Sequence, residues 1–537
     1  MRKLPHPQLS KTRKVRGQPT HVTIGFSEYP AVGQNDTHNN RGEEFRFASY
    51  YGDHMVLQKA PEQSVLWGYG SDGAEVIVSL KGEQENRKHS VLVQNGIWRV
   101  ALEPMKAGGP YNVTAVQQGT ANAQVTLMDV LFGDVWLCSG QSNMAYTLSQ
   151  VFNASEEQAM APQFPHVRIF MAALERSNTE LLDLPRVEVP WSIPSAAELL
   201  GGPEFTYFSA VCWLFGRYLY KTLGYPVGLV ESCWGGTPVE AWSSHRVLQK
   251  CGLESQDLRH PCFTPYETMP GLMVAWSNSV LWNAMIHPLL NMTIKGAIWY
   301  QGEANTEYHQ DKYICAFPAM IDDWRISFHK GSGGQTAPDF PFGFVQLSTS
   351  HKGSMSDGFP NLRWHQTAGY GYVPNLRMKR TFMAVALDLP DEESPWGSIH
   401  PRNKQDVAYR LTLGARAVAY GDKGVSFQGP FPVKVLLKGD SINITYTKSV
   451  SVTRSKTIFE ICCTKAKNNC SSNEGWVPAP IMHWGLSYIQ VSAVQCRNTV
   501  SGVRYAWKDW PCDIKACPVY SADRVLPAPP FIVNRWP

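Results

Sequence analysis

No apolar stretch of this 537-residue chain reaches the length of about eighteen residues that a membrane-spanning helix needs, so no such span is expected. Charge is sparse as well. Only 18% of residues are Asp, Glu, Lys or Arg and the formal net charge is +4, which gives no reason to propose a nucleic-acid partner. The cysteines near the C-terminus do not pair with histidines at zinc-ligand spacing, and the chemistry expected below needs neither a metal nor an organic cofactor. The lipase elbow G-x-S-x-G is missing, because Met144 stands where its second glycine would be. Residues 1–43 contain no hydrophobic segment that could serve as a signal peptide, although Arg2, Lys3, Lys11, Arg13, Lys14 and Arg16 make their start basic. A replaced first exon, a cytosolic form and a nuclear-type basic patch compete to explain this arm. The first is favoured, since cytosolic glutathione would reduce the cysteines discussed next; a disordered arm is the structural expectation.

What is present points to a globular, secreted type of protein. Hydrophobic residues make up 43% of the chain, and its length calls for two to four domains. The 18 Trp and 22 Tyr suit stacking on sugars, although core packing accounts for most of them. Of twelve cysteines, Cys462, Cys463, Cys470, Cys496, Cys512 and Cys517 crowd towards the C-terminus and read as disulfide partners. Sequons at Asn35, Asn112, Asn153, Asn291, Asn443 and Asn469 add to the case for a secretory route.

The chain divides by pattern. After the arm, residues 44–129 hold short alternating runs such as Glu75-Val76-Ile77-Val78-Ser79-Leu80, separated by Gly, Asp, Asn and Pro, and predict a β-sandwich-like module. Residues 130–420 alternate strands and helices, as in Phe208 to Leu219 followed by Val227 to Ser232, which is the α/β signature of a parallel sheet. Residues 331–380 read as loop-rich. Residues 421–537 return to short strands around the cysteine cluster and predict a C-terminal, disulfide-rich β module.

Within the α/β segment, four apolar runs each end in a polar cluster. The stretch from Leu131 to Met144, LFGDVWLCSGQSNM, delivers Ser142 from a buried strand to a turn, the placement a nucleophilic hydroxyl needs beside free backbone N–H groups. Gly235 and Gly236 follow the strand at Val227, where a backbone N–H can approach a ligand without a side chain in the way. Gly296 to Asn305, GAIWYQGEAN, presents Gln301 and Glu303 at a strand end. Met383 to Asp391 ends a strand near Asp388, and the SIHPRNK loop then presents His400 ahead of a helix over 405–420. Arg363 and Trp364 are a weaker pair, able to receive a sugar carboxylate or simply to belong to a helix.

GQSNM, the Trp234-Gly235-Gly236 phrase, the Gln301 block and SIHPRNK together resemble the SGNH (GDSL-like) hydrolases in the form used by carbohydrate esterases that act on sialic acids. The resemblance covers nearly all of the chain from about Phe45. It implies an SGNH-like three-layer domain with a parallel sheet, flanked by N- and C-terminal β modules. It also implies a serine esterase that removes acetyl groups from the 9-hydroxyl, with the 4-hydroxyl as a second position, of O-acetylated sialic acids and sialoglycoconjugates. Ser142 would be the nucleophile and His400 the base, with the Ser142 N–H, a Gly235 or Gly236 N–H and the Gln301 amide receiving the oxyanion, and Glu303 accepting a supporting hydrogen bond. A lysosomal or secreted location goes with this resemblance.

The chain departs from that pattern at one point. SGNH enzymes carry Asp three residues before the histidine, and Gly397 stands there. Asp391 is the first choice for the orienting acid, Asp388 the second, and a backbone carbonyl serving a Ser–His dyad the third. A histidine near its usual pKa of about 6.5 is only a few per cent neutral at a pH of about 5, so acidic surroundings would oppose such a base unless its pKa were depressed. An esterase for other acetylated polysaccharides and a non-catalytic carbohydrate-binding protein are the rival readings.

Overall fold

The computed structural model describes residues 44–83, 86–119, 123–194, 200, 204–254, 277–464, 470, 475–497 and 499–534. The basic arm, Asn35, Cys262 and Asn469 lie outside the described residues. Eleven strands form one large mixed sheet. Its N-terminal part contains β1 (Val56–Gln58), β2 (Glu75–Lys81), β3 (Asn86–Leu92), β4 (Gly108–Gln117) and β5 (Ala123–Gly140), with β2, β3 and the start of β5 joined through antiparallel pairing to their neighbours. Strand β5 is 18 residues long and runs straight through the expected boundary at 129/130. Some of the N-terminal strands are thus hydrogen-bonded into the same sheet as the α/β part, whereas Arg46–Phe47, Val65–Tyr69 and Ile97–Ala101 form a three-stranded antiparallel sheet of their own. The burial pattern along β5 records the change, alternating up to Asp129 and then continuously buried from Val130 to Gly140, as a strand covered on both faces should be.

The α/β part adds β6 (Val167–Ala172), β7 (Val187–Ser192), β8 (Val227–Cys233), β9 (Gly296–Tyr300), β10 (Phe342–Gln346) and β11 (Thr381–Val385). The spatial order is β7-β6-β8-β5-β9-β10-β11, parallel throughout except for the β6–β7 pair. From β5 the chain builds first to one side through β6 and β8, then to the other through β9, β10 and β11. β5 is thus the switch point, and ligands in open α/β sheets gather beyond the carboxyl ends of strands at such a point.

Alternation along the strands sends side chains to two covered faces. Trp136 and Cys138 face α2 (Ala210–Leu223), where Phe215 packs 5.1 Å from Trp136 and Cys212 is disulfide-bonded to Cys138. Trp299, paired in register with Ser139, faces the other way onto Phe317 and Trp324 of α3 (Gln310–Gly331). Helix α2 starts where the sequence predicts because the Ser209 side chain accepts from the Cys212 N–H, and it stops at Gly224 in the left-handed region. The stretch expected to be loop-rich holds β10 and α4 (Gly358–His365). Five residues of continuously buried strand between Pro341 and the polar run after Gln346 are too short for periodicity to reveal.

C-terminal to α5 (Lys404–Val418), two four-stranded antiparallel sheets enclose a second core that includes Ile442, Ile444, Phe459, Ile489, Val503 and Phe531. Disulfides Cys462–Cys470, Cys463–Cys496 and Cys512–Cys517 staple this region, and Cys251–Cys315 ties α3 to the helix His245–Cys251.

Buried charge joins this region to the main sheet. Arg363, in the last turn of α4, is 0% exposed and donates to the carbonyls of Leu347, Ser348, Lys508 and Asp509. Burial pushes its pKa down to about 10. It is therefore unavailable to a sugar carboxylate, and Trp364 beside it packs against Trp507. Replacing Arg363 with Met leaves four carbonyls unsatisfied and is expected to cost about 3–5 kcal/mol, read as a clear drop in the denaturation midpoint of the full chain. An unchanged midpoint together with weaker sialoside binding would return Arg363 to the substrate.

Candidate active site

Four strand ends converge on one cavity of about 460 Å³. At the end of β5, Gly140 takes a φ of 143°, and any Cβ there would collide with the Tyr300 carbonyl of β9. The close approach lets Gln141 N–H donate to that carbonyl at 2.9 Å, while Gln141 Oε1 accepts from the N–H groups of Gly302 and Ala304 at 3.2 Å each. The Ser142 turn and the Gln301 block are thereby locked together. Ser142 then opens a four-residue helix, α1 (Ser142–Ala145).

The Ser142 hydroxyl lies 2.8 Å from His400 Nε2, and His400 Nδ1 lies 2.8 Å from the carbonyl oxygen of Trp396. A carbonyl can only accept, so Nδ1 carries the proton and Nε2 is left to accept from the serine. Asp391 does not reach the imidazole. Both its oxygens accept from the Arg402 guanidinium at 2.7 and 2.8 Å, and Oδ2 also accepts from the Arg402 N–H. These bonds hold its carboxyl below the usual range even though burial opposes this. Asp388 lies past the end of β11, fully buried, and accepts from Arg410 at 2.6 and 2.9 Å and from Tyr520 at 2.9 Å. Both acids expected to orient the base are spent on internal ties. The reason is local: Gly397, where the family pattern has Asp, sits at φ 85° in a turn whose carbonyl accepts from the His400 N–H, and that turn brings the Trp396 carbonyl under the ring.

His400 is walled in. Phe205 approaches edge-on at 5.1 Å and Tyr146 lies nearly parallel at 6.5 Å. Burial, with a smaller push from the Lys404 charge, takes its pKa down to about 4 against the opposing hydrogen bond to Trp396.

On the opposite wall Gly235 and Gly236 line the cavity. A Cβ on Gly235 would stand 3.4 Å from that of Ser142, and neither glycine N–H has a protein acceptor among the described residues. Gln301 is not free in the same way. Fully buried, it donates its two amide hydrogens to Thr237 O (3.1 Å) and Asn305 Oδ1 (2.8 Å), so it has none left for an oxyanion. It supports the glycine loop instead, with Asn305 holding Val239 N–H and Glu240. Glu303 lines the cavity and accepts from Asn143 Nδ2 at 2.6 Å, and burial raises its pKa. Asn143 and Lys404, hydrogen-bonded at 2.6 Å, are site residues that the sequence reading passed over although both stand inside its motifs, GQSNM and SIHPRNK. Phe205 carried no such signal.

Arg363 and Trp364 line no part of this cavity. Among the described residues no three His, Cys, Asp or Glu side chains converge as metal ligands, and no helix is long and apolar enough to cross a membrane. Of the sequons, Asn112 and Asn153 are exposed, whereas Asn291 and Asn443 are half-buried.

A family model described as "Carbohydrate esterase, sialic acid-specific acetylesterase" matches residues 132–394, and one described as "Sialate O-acetylesterase C-terminal domain" matches residues 433–535. The chain is 51% identical over 519 residues to the sialate O-acetylesterase of Mus musculus, covering 92% of this chain and 95% of that protein. It is 51% identical over 500 residues to that of Homo sapiens, covering 91% and 93%. Among solved structures, a carbohydrate acetylesterase from Xanthomonas citri superposes with a TM-score of 0.74 at 28% identity, covering 91% of this chain and all of that one.

The depressed pKa of His400 fixes a sign. An imidazole can accept the Ser142 proton only while neutral, and protonation of His400 is deferred to a pH of about 4. The rate at which a fluorophosphonate labels Ser142 is therefore expected to stay level from pH ~7 to ~5 and to fall only near pH ~4, whereas a fall centred near the ordinary histidine pKa of ~6.5 would contradict this environment.

Proposed function

The chain belongs to the sialate O-acetylesterase family, and from that premise we propose that it is a serine esterase of the SGNH type that removes O-acetyl groups from sialic acids. The observation that carries the reading is the Ser142 Oγ to His400 Nε2 contact of 2.8 Å, with Nδ1 fixed by the Trp396 carbonyl. As Ser142 Oγ attacks the acetyl carbonyl, His400 Nε2 takes its proton. The developing oxyanion is received by the N–H groups of Ser142 and of Gly235 or Gly236. The imidazolium then returns its proton to the sugar oxygen, which leaves as the alcohol, and Ser142 keeps the acetyl group. Water repeats the sequence with His400 as base and frees acetate. Gln301 acts one step back, by holding the glycine loop.

The cavity walls include Met171, Leu174, Phe205, Trp234 and Ile399, an apolar surround that suits an acetyl methyl group; the preference for 9-O-acetyl first and 4-O-acetyl second is carried over from the family resemblance. A wider carbohydrate specificity is the second reading. It is favoured by the Xanthomonas citri likeness and by Arg363 being closed off from the site. The disulfides and exposed sequons support a secreted or lysosomal setting.

Acetate release from 9-O-acetylated N-acetylneuraminic acid is expected from the wild type, with a loss on the order of 10⁵-fold or more in Ser142→Ala. Faster release from acetylated xylose would move the assignment to the second reading, and binding without release would remove the esterase.

A further inference from the structure

Lys404 sits where local rules disfavour it. It is the first residue of α5, at the positive end of the helix dipole. It is also 0% exposed, so its ammonium is stripped of water. Among the described residues the one hydrogen bond from Nζ goes to an amide oxygen, Asn143 Oδ1, at 2.6 Å, and the ammonium otherwise rests over the rings of Tyr146 and Tyr300 at 4.5 and 5.2 Å. Residues that break local rules without local gain concentrate where function requires them.

The bonds beyond Asn143 suggest what is required. Its Nδ2 donates to Glu303 Oε1 and to the carbonyl of Ile399 at 2.9 Å. Ile399 O can only accept and Lys404 can only donate, so the amide has a single orientation. Asn143 follows the nucleophile and Ile399 precedes the base. One chain of contacts thus runs from α5 across the serine turn to the histidine loop. The Glu303 Oε2 atom, buried in the same cluster, has no partner among the described residues.

Resting on the Ser142–His400 assignment above, we propose that Lys404 is a positioning residue of this dyad, which fixes Asn143 between serine and histidine and opposes protonation of His400 by its charge. A triad carboxylate would orient the imidazole but favour its charged form. Here the two tasks are separated, with orientation left to the Trp396 carbonyl and Asn143.

The groups facing His400 fit this division. Ser142 and Tyr146 lie on or after α1, Phe205 on the segment before α2, Cys233 at the end of β8, Glu303 after β9, and the Asp391–Arg402 pair on its own loop. Cys233 and Tyr146 are held protonated by burial, and Asp391 is neutralised by Arg402. Burial raises the pKa of Glu303, which Asn143 partners, and Lys404 is the charge whose field lowers that of the ring. Burial lowers its own pKa to about 7, so it is cationic across the acidic range in which His400 would otherwise gain a proton.

The test uses full-length protein and the pH dependence of Ser142 labelling by a fluorophosphonate. Lys404→Met, whose side chain suits a site between two tyrosine rings, is expected to react about 10- to 100-fold more slowly at pH ~7 and to show its acid limb displaced upward by about one pH unit. Lys404→Gln keeps a donor for Asn143 while removing the charge, so it is expected to react at close to the wild-type rate at neutral pH with the same displaced limb. An acid limb that stays in place in Lys404→Gln overturns the proposal, whether or not Lys404→Met folds, and a slower reaction with an unmoved limb would reduce Lys404 to packing. Failure of the wild type to be labelled at Ser142 would instead defeat the dyad assignment, and this proposal with it.

Discussion

The hydrogen bond from His400 Nδ1 to the Trp396 carbonyl determines which imidazole nitrogen is free, and the rest of the site is arranged around that choice. It leaves Nε2 unprotonated towards Ser142 without placing a negative charge beside the ring. A carboxylate there would stabilise an imidazolium in the acyl transfer proposed above, but it would also raise the pKa of the resting ring. The carbonyl gives less of both, and the burial of the ring outweighs the small upward push it exerts on the pKa. Buried against Phe205 and Tyr146, the imidazole stays neutral at pH values where an exposed histidine is mostly charged. The pH conflict raised by the sequence thus has a structural answer, and it depends on the absence of the expected acid.

The carboxylates and guanidinium that looked available for chemistry serve the architecture instead. Asp391 and Arg402 close the loop that carries His400. Asp388, Arg410 and Tyr520 join the end of β11 to α5 and to the C-terminal region, and Arg363 draws four carbonyls from both sides of the same junction. Charge this deeply buried is stable only when fully partnered, so each of these side chains is committed by its burial. The C-terminal sheets are in this way tied directly to the loops from which His400 projects.

Much of this was legible in the sequence because the central strands are short, buried and end abruptly. Each apolar run that stopped at a polar cluster, before Ser142, Gly235, Gln301 and His400, does stop at the carboxyl edge of the sheet. The helical stripe read from Phe208 to Leu219 overlaps α2, whose ends are set by the Ser209 and Gly224 caps. What was illegible depended on partners distant in sequence. The type and place of Gln301 suit an oxyanion donor, and only the positions of Thr237 and Asn305 show that both its hydrogens are taken. The Asp391 and Asp388 ion pairs and the fourfold role of Arg363 likewise span elements that no local pattern connects. At the expected boundary of 129/130, β5 changes environment without changing conformation, passing from half-exposed to continuously buried within one strand.

The central claim is that His400 works as a neutral, Nδ1-protonated base held by a carbonyl. The most direct measurement is the ¹⁵N chemical shift of the His400 ring nitrogens, followed in histidine-labelled protein from pH ~8 to ~4. A protonated Nδ1 and an unprotonated Nε2 are expected across that range, with conversion to imidazolium only near pH ~4. Conversion centred near the ordinary value of ~6.5, or a resting tautomer protonated at Nε2, would contradict it.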